Sequence, residues 1–164
     1  MAVPFVGYEN IIYLLESKDI GTTITASSYM KLGSAHKAGF LICFGAVTSA
    51  SADTENITVE AATAEGGTEA QIDFYYRLSG ALGTNTWGAI TSASSLSIDP
   101  ATQDNVMVWI EIDPAELASN DYNFVRVRLT DNTDMTACLV SVIGFLNTRY
   151  KQTTFVSATA SASA

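Results

Sequence analysis

At 164 residues the chain has the length of one domain, and a domain of that size buries roughly 70% of the surface its unfolded chain exposes. Apolar residues make up 48% of it and charged residues only 15%, below the roughly 25% usual for a free-standing soluble domain; a weakly charged, Ser/Thr-rich surface suits a protein packed against neighbours. A net charge of −9 with scattered Lys and Arg argues against binding nucleic acid, and without an apolar run of about 18 residues no segment is expected to span a membrane.

The opening "MAVPFVGYEN" lacks the basic start and apolar centre of a secretory signal, so synthesis in a cytoplasm without a secretory route is expected. "YENIIYLLES" fits two elements. Tyr8, Ile11, Ile12 and Leu15 share a helical face, while Ile11, Tyr13 and Leu15 line one side of a strand. "GTTITASSYMKL" reads as strand, with Ile24 and Tyr29 as its apolar members. These segments define an arm with the first strands over residues 1–28, ahead of a β-sandwich domain over 29–150 and a tail over 151–164.

His36, the only histidine, falls in the loop "GSAHKAG". A metal-holding cupin needs two or three histidines, so that enzyme class is set aside and His36 is expected at the surface. "GFLICFGAV" and "ACLVSVIGFL" are apolar on both faces and read as central strands, covered on each side by the fold or by a partner. They contain Cys43 and Cys138, expected to behave as small buried hydrophobes. A disulfide between them requires neighbouring strands and an oxidising compartment.

Alternation continues along the chain. "NITVEA" turns Ile57 and Val59 inward. "AQIDFYYRL" sets Ala70, Ile72, Phe74, Tyr76 and Leu78 on a dry face, against Gln71, Asp73, Tyr75 and Arg77, and so reads as one strand. "NVMVWIEI" and "NFVRVRL" repeat the pattern, with Arg126 and Arg128 outward. Turn chemistry separates the strands in "AEGGTE", "SGALGTN", "DPATQDN" and "LTDNTD". Short strands at close intervals predict an all-β, antiparallel β-sandwich with short helical turns.

"VMVWIEIDPAEL" holds three carboxylates beside a tryptophan, a tempting acid cluster. The order Asp113, Pro114, Glu116 is instead a helix start. The Asp side chain accepts backbone N–H bonds, Pro114 has no N–H to satisfy, and Glu116 reaches back. Glu111 belongs to the outer face of the preceding strand. Asp99 and Pro100 repeat the device. Asp131, Asn132 and Asp134 lack the glycine and distal glutamate of a calcium loop and read as a polar hairpin turn. No nucleophile elbow or phosphate loop is present. No enzyme activity, cofactor or metal is therefore expected.

Tyr75, Met107 and Trp109 occupy polar-phase positions, and Trp87 sits beside a glycine. Burial within the monomer, a protein interface and a sugar-stacking platform all remain open for them. The tail "SATASASA" is either disordered or ordered against a neighbouring chain.

The succession "SYMKLGSAHKAGFLICFGAV", "ENITVEAATAEGGTEAQIDFYYRL", "MVWIEIDPAEL", "YNFVRVRLTD", "ACLVSVIGF" and "RY" resembles, over about residues 29–150, the small tailed-bacteriophage virion proteins of the capsid decoration (cement) type. The resemblance implies a jelly-roll sandwich on the exterior of the phage head. There it would form a homo-oligomer such as a trimer and bridge subunits of the major capsid protein, without catalytic residues, cofactor, nucleic acid or membrane. Contacts are expected at Tyr75, Trp87, Met107 and Trp109, and at the chain ends through Phe5, Tyr8 and Phe155. Two rivals are carried forward. One is a phage tail-tube or head–tail connector subunit, disfavoured by the short loops. The other is a carbohydrate-binding module using Trp87 or Trp109.

Overall fold

Period-two sequence becomes strand almost throughout the computed structural model, which describes residues 9–20, 25–33, 35–48, 55–99, 103–131 and 137–148. Twelve strands are present among them: β1 (Glu9–Asp19), β2 (Thr25–Ala26), β3 (Met30–Lys31), β4 (Ala35–Thr48), β5 (Glu55–Ala62), β6 (Ala70–Ile72), β7 (Phe74–Leu78), β8 (Thr91–Ala93), β9 (Ser95–Ile98), β10 (Met107–Ile112), β11 (Phe124–Asp131) and β12 (Ala137–Thr148). A single helical turn, α1 (Pro114–Leu117), runs on into a 3-10 turn at Ala118–Asn120.

The strands form two antiparallel six-stranded sheets. The first has the order β1-β12-β4-β10-β7-β8; the second has β2-β11-β5-β6, with β3 also on β11 and β9 also on β5. The pairings are nested. β1 joins β12, β2 and β3 join β11, β4 joins β10, and β5 joins β9. That is one long two-stranded ribbon, folded so that its halves also meet through β4–β12 and β5–β11. A wrapped ribbon of this kind is a jelly roll, and β6, β7 and β8 are an insertion near its tip. The all-β sandwich expected from the alternation is the fold observed.

Side chains from both sheets fill one interior. Phe40, Ile42, Val108, Ile110, Val140 and Val142 come from the first sheet; Ile57, Val59, Val125, Val127 and Leu129 come from the second; all are buried. Each such burial stabilises the fold by about 1.5–3 kcal/mol before entropy is charged against it. Leu14 belongs to this interior because β1 is irregular. The register slips between Tyr13 and Leu15, which turns Leu14 and Leu15 toward the core after Ile11 and Tyr13 have faced outward. On the inner side of β12, Gly144 leaves the room that Leu14 and Met30 occupy; a Cβ there would lie 2.6 Å from Leu14 Cδ1 and 2.7 Å from Met30 Sδ.

Several expectations are corrected. "YENIIYLLES" is a strand, because only an extended chain can zip along β12. Its exposed apolar members are Ile11 and Tyr13, which the strand reading had grouped on one side with the half-buried Leu15. The described part of "GTTITASSYMKL", residues 25–32, holds two two-residue strands rather than one, since Ser27 to Tyr29 break the ladder between them; Ile24 lies outside the described residues. "AQIDFYYRL" is also two strands. β6 pairs with β5 in the second sheet and β7 with β10 in the first, so Asp73 marks a crossing between layers that preserves the alternation on both sides. His36 lies in β4 rather than in a loop, and is exposed. β4 and β12 are neighbours, yet Cys43 faces outward opposite Ser141 while Cys138 is buried opposite Val47; no disulfide joins them.

Gly39 is fixed by close approach. A Cβ on it would come within 2.7 Å of the Ile110 carbonyl oxygen, backbone that the β4–β10 ladder holds in place, whereas a Cβ at Gly45 meets Leu139 at 3.4 Å. Gly39→Ala is expected to lower unfolding free energy by about 1–3 kcal/mol in urea titration. Gly45→Ala on the same strand should stay within about 0.5 kcal/mol of the parent.

Candidate functional site: the outer face of the first sheet

The two outer faces differ in kind. On the second sheet the outward residues are polar and matched. Arg126 Nε lies 2.8 Å from Glu60 Oε2, its Nη2 lies 2.9 Å from Glu69 Oε1, and Arg128 Nη1 lies 3.2 Å from Glu60 Oε1. Tyr29 lies under the Arg126 guanidinium at 4.7 Å, presents its ring edge-on to Phe124 and donates its hydroxyl to Glu69. The arginines read from "NFVRVRL" are therefore outward as expected, and occupied by carboxylates of their own chain.

On the first sheet the outward residues are mostly apolar. Registers across β1, β12, β4, β10 and β7 align Tyr13, Ile143, Leu41, Trp109 and Arg77 in one row. The adjacent row runs Ile11, Phe145, Gly39, Glu111, Tyr75 and, on β8, Ser92. A third holds Ser141, Cys43 and Met107. Among the described residues, Ile11, Tyr13, Tyr75, Leu82, Ile90 and Leu139 are the large hydrophobic side chains that stand exposed. Ile11, Tyr13, Tyr75 and Leu139 lie on this face, and Ile90 borders it.

Trp109 is the centre of the face. Its ring passes over the space Gly39 leaves, 3.4 Å from where a Cβ would stand, and meets Phe145 at 5.1 Å between centroids with a 52° tilt. Shallow hollows lie on either side. One of about 110 Å³ is lined by Tyr75, Tyr76, Arg77, Ile90, Trp109 and Glu111; the other, about 100 Å³, lies over Gly39 between Trp109 and Phe145. The few charges here are engaged. Lys37 Nζ pairs with Glu111 at 2.5 Å, and this bond holds the ammonium above its ordinary range. Arg77 donates to the Gly88 carbonyl at 3.1 Å and lies 5.9 Å from the Trp87 ring centroid. Burial pushes the Cys43 thiol up, with a smaller opposing effect from the Ser141 hydroxyl; a protonated thiol is a poor nucleophile.

The structure thus brings together Tyr75, Met107 and Trp109 on one face and ties Trp87 to its border through Arg77. Phe5, Tyr8 and Phe155 lie outside the described residues, as does the "SATASASA" tail. Sequence reasoning missed Ile11, Tyr13, Leu41, Leu139, Ile143 and Phe145. Leu41, Leu139, Ile143 and Phe145 belong to the doubly apolar runs, which signalled cover on both sides without telling core from exterior. The carboxylates of "VMVWIEIDPAEL" act as the helix-start reading requires: Asp113 Oδ1 accepts from the Ala115 N–H at 2.9 Å, Pro114 opens α1, and Glu111 is taken by Lys37. Among the described residues no three His, Cys, Asp or Glu side chains gather as a metal site would require, and no helix is long and apolar enough to cross a membrane. Comparison with known protein families, with curated proteins and with solved structures returns no match.

The Tyr29–Glu69 bond makes a pH prediction. Burial, helped by the hydrogen bond to Glu69, raises the Tyr29 hydroxyl from 10.0 to about 12, while that bond holds the Glu69 carboxyl below its usual range. A raised tyrosine stabilises the fold below its unfolded value and loses that contribution as pH climbs through the folded one. Stability is expected to decline between pH 10.0 and about 12, measured by urea midpoints. Tyr29→Phe should be less stable at pH 8 and flatter across this window.

Proposed function

We propose that this chain is a virion structural protein of the capsid decoration type, seated on the exterior of a phage head and bridging subunits of the major capsid protein. The observation that carries the reading is the outer face of the first sheet. A sandwich with a filled interior has no need of a second apolar surface, and contiguous exposed hydrophobic side chains on a soluble domain mark a protein contact. The wrapped-ribbon fold, which is shared by capsid and lectin domains, is consistent with that role, as is a chain with few charges. Many modest contacts repeated by symmetry would resist the pressure of a packaged genome, each burying apolar area at about 25 cal/mol per Å² less the cost of ordering.

A carbohydrate-binding module is the second reading, favoured by one observation: Trp109 and Tyr75 border a hollow that Glu111 and Arg77 also line. Exposed aliphatic side chains at Ile11 and Leu139 favour protein over sugar, because a sugar platform draws on aromatic faces and hydrogen bonds. The connector or tail-tube reading gains no support from the loops described.

Co-sedimentation tests the proposal. Purified protein should pellet with phage heads from the same genetic source, and protect them from disruption by chelator or heat. The Tyr13→Lys, Tyr75→Lys double variant should lose at least tenfold in head occupancy. Retention on an immobilised polysaccharide that disappears in Trp109→Ala, with no pelleting on heads, would overturn the reading in favour of the module.

A further inference from the structure

We propose that the outer face of the first sheet is occupied by a second copy of this chain, the two copies meeting face to face. The inference rests on the proposed function only in treating the face as a protein contact; it assigns that face to the joint between two copies that bridge the shell together, so that substitutions there lower head occupancy by costing each bridge its second attachment site.

Three observations favour a second copy. The first is area. With strands about 4.8 Å apart and about 3.3 Å per residue, β1, β12, β4, β10, β7 and β8 present about 800 Å² of sheet face, close to the roughly 800 Å² per partner of a standard stable interface. The second is charge. Across the middle of the face the ionic side chains are the Lys37–Glu111 pair and Arg77, already bonded to Gly88. Two copies of a chain of net charge −9 repel one another through most surfaces. The middle of this face brings no excess of acid against acid, and the exposed Glu16 and Asp19 lie at its β1 edge.

The third is shape. An isologous contact must fit itself, each copy offering a projection where its twin has a recess. Here Ile11 and Tyr75 project, with more than half of each exposed, while recesses of about 110 and 100 Å³ lie on either side of Trp109. Projections and recesses are interleaved on one surface, as self-pairing requires.

Such pairing also supplies what a bridge needs. Each copy is left with its remaining surfaces for the shell, so a pair carries two identical attachment sites.

Sedimentation equilibrium of the whole chain tests this. The expected mass at 10–50 µM is twice that of one chain or a multiple of two, as in a dimer of dimers. Ile11→Lys with Tyr75→Lys, both at exposed positions, should give single chains with an unchanged circular-dichroism spectrum and a thermal midpoint that no longer rises with protein concentration. Cys43 is a reporter independent of any variant, since it lies within the face while Cys138 is buried. Its alkylation by iodoacetamide should slow at least fivefold between 1 and 100 µM protein. Single chains at 100 µM, a pair that survives both substitutions, or Cys43 reacting equally at every concentration overturns the inference. Single chains that still pellet with heads reject the twin as occupant and leave the decoration reading standing. Pairs that ignore heads do the reverse.

Discussion

The pairing of β4 with β12 is the joint on which the molecule depends. A folded ribbon made only of its nested pairs would be two separate flaps; β4–β12, running from Ala35 opposite Thr148 to Thr48 opposite Ala137, stitches the outer pair β1/β12 to the inner pair β4/β10. Both strands must therefore be central, flanked by strands on either side, and their inner residues Phe40, Ile42, Val140 and Val142 form the middle of the core. Their outer residues Leu41, Ile143 and Phe145 are placed by the same ladder in the middle of the opposite surface. One set of hydrogen bonds fixes the interior and the apolar outer face together, because successive residues of a strand point to opposite sides.

That coupling separates the two outer faces chemically. The second sheet resolves its outward positions locally, by matching Arg126 and Arg128 with Glu60 and Glu69 and by packing Tyr29 against an arginine and a phenylalanine. Glu60 and Arg126 are mostly buried by this matching, and breaking one member of such a pair is costlier than the pair is stabilising. The first sheet resolves its outward positions only in part. Trp109 leans on Phe145 over the gap at Gly39, yet Ile11, Tyr13, Tyr75 and Leu139 remain exposed. An asymmetry of this kind within one small sandwich is the physical basis for the proposal that protein contact falls on the first sheet.

Much of this was legible in the sequence. Alternation located β5, β10 and β11 with their inward residues, and the Asp113–Pro114 pair announced α1, because both signals are local: a strand's dry side and a helix's first turn are written in adjacent residues. What escaped was set by partners distant along the chain. The break at Asp73 is invisible in "AQIDFYYRL" since changing sheets does not disturb a period of two. The slip in β1 that buries Leu14 while exposing Tyr13 depends on the room at Gly144, more than a hundred positions on. Of the contact face, Tyr75, Met107 and Trp109 could be chosen because they broke a polar phase. Ile143 and Phe145 could not, because in a run with apolar residues on both sides nothing distinguishes core from exterior.

The register of β1 on β12 sets Glu9 opposite Asn147, so both ends of the described fold emerge side by side at one corner of the first sheet. Tension between those two points would open the β1–β12 ladder like a zipper, one rung after another, whereas load entering through the broad flank of the sheet is shared by many rungs in shear. A molecule strung this way is mechanically weak when tugged by its ends and strong when gripped across its breadth.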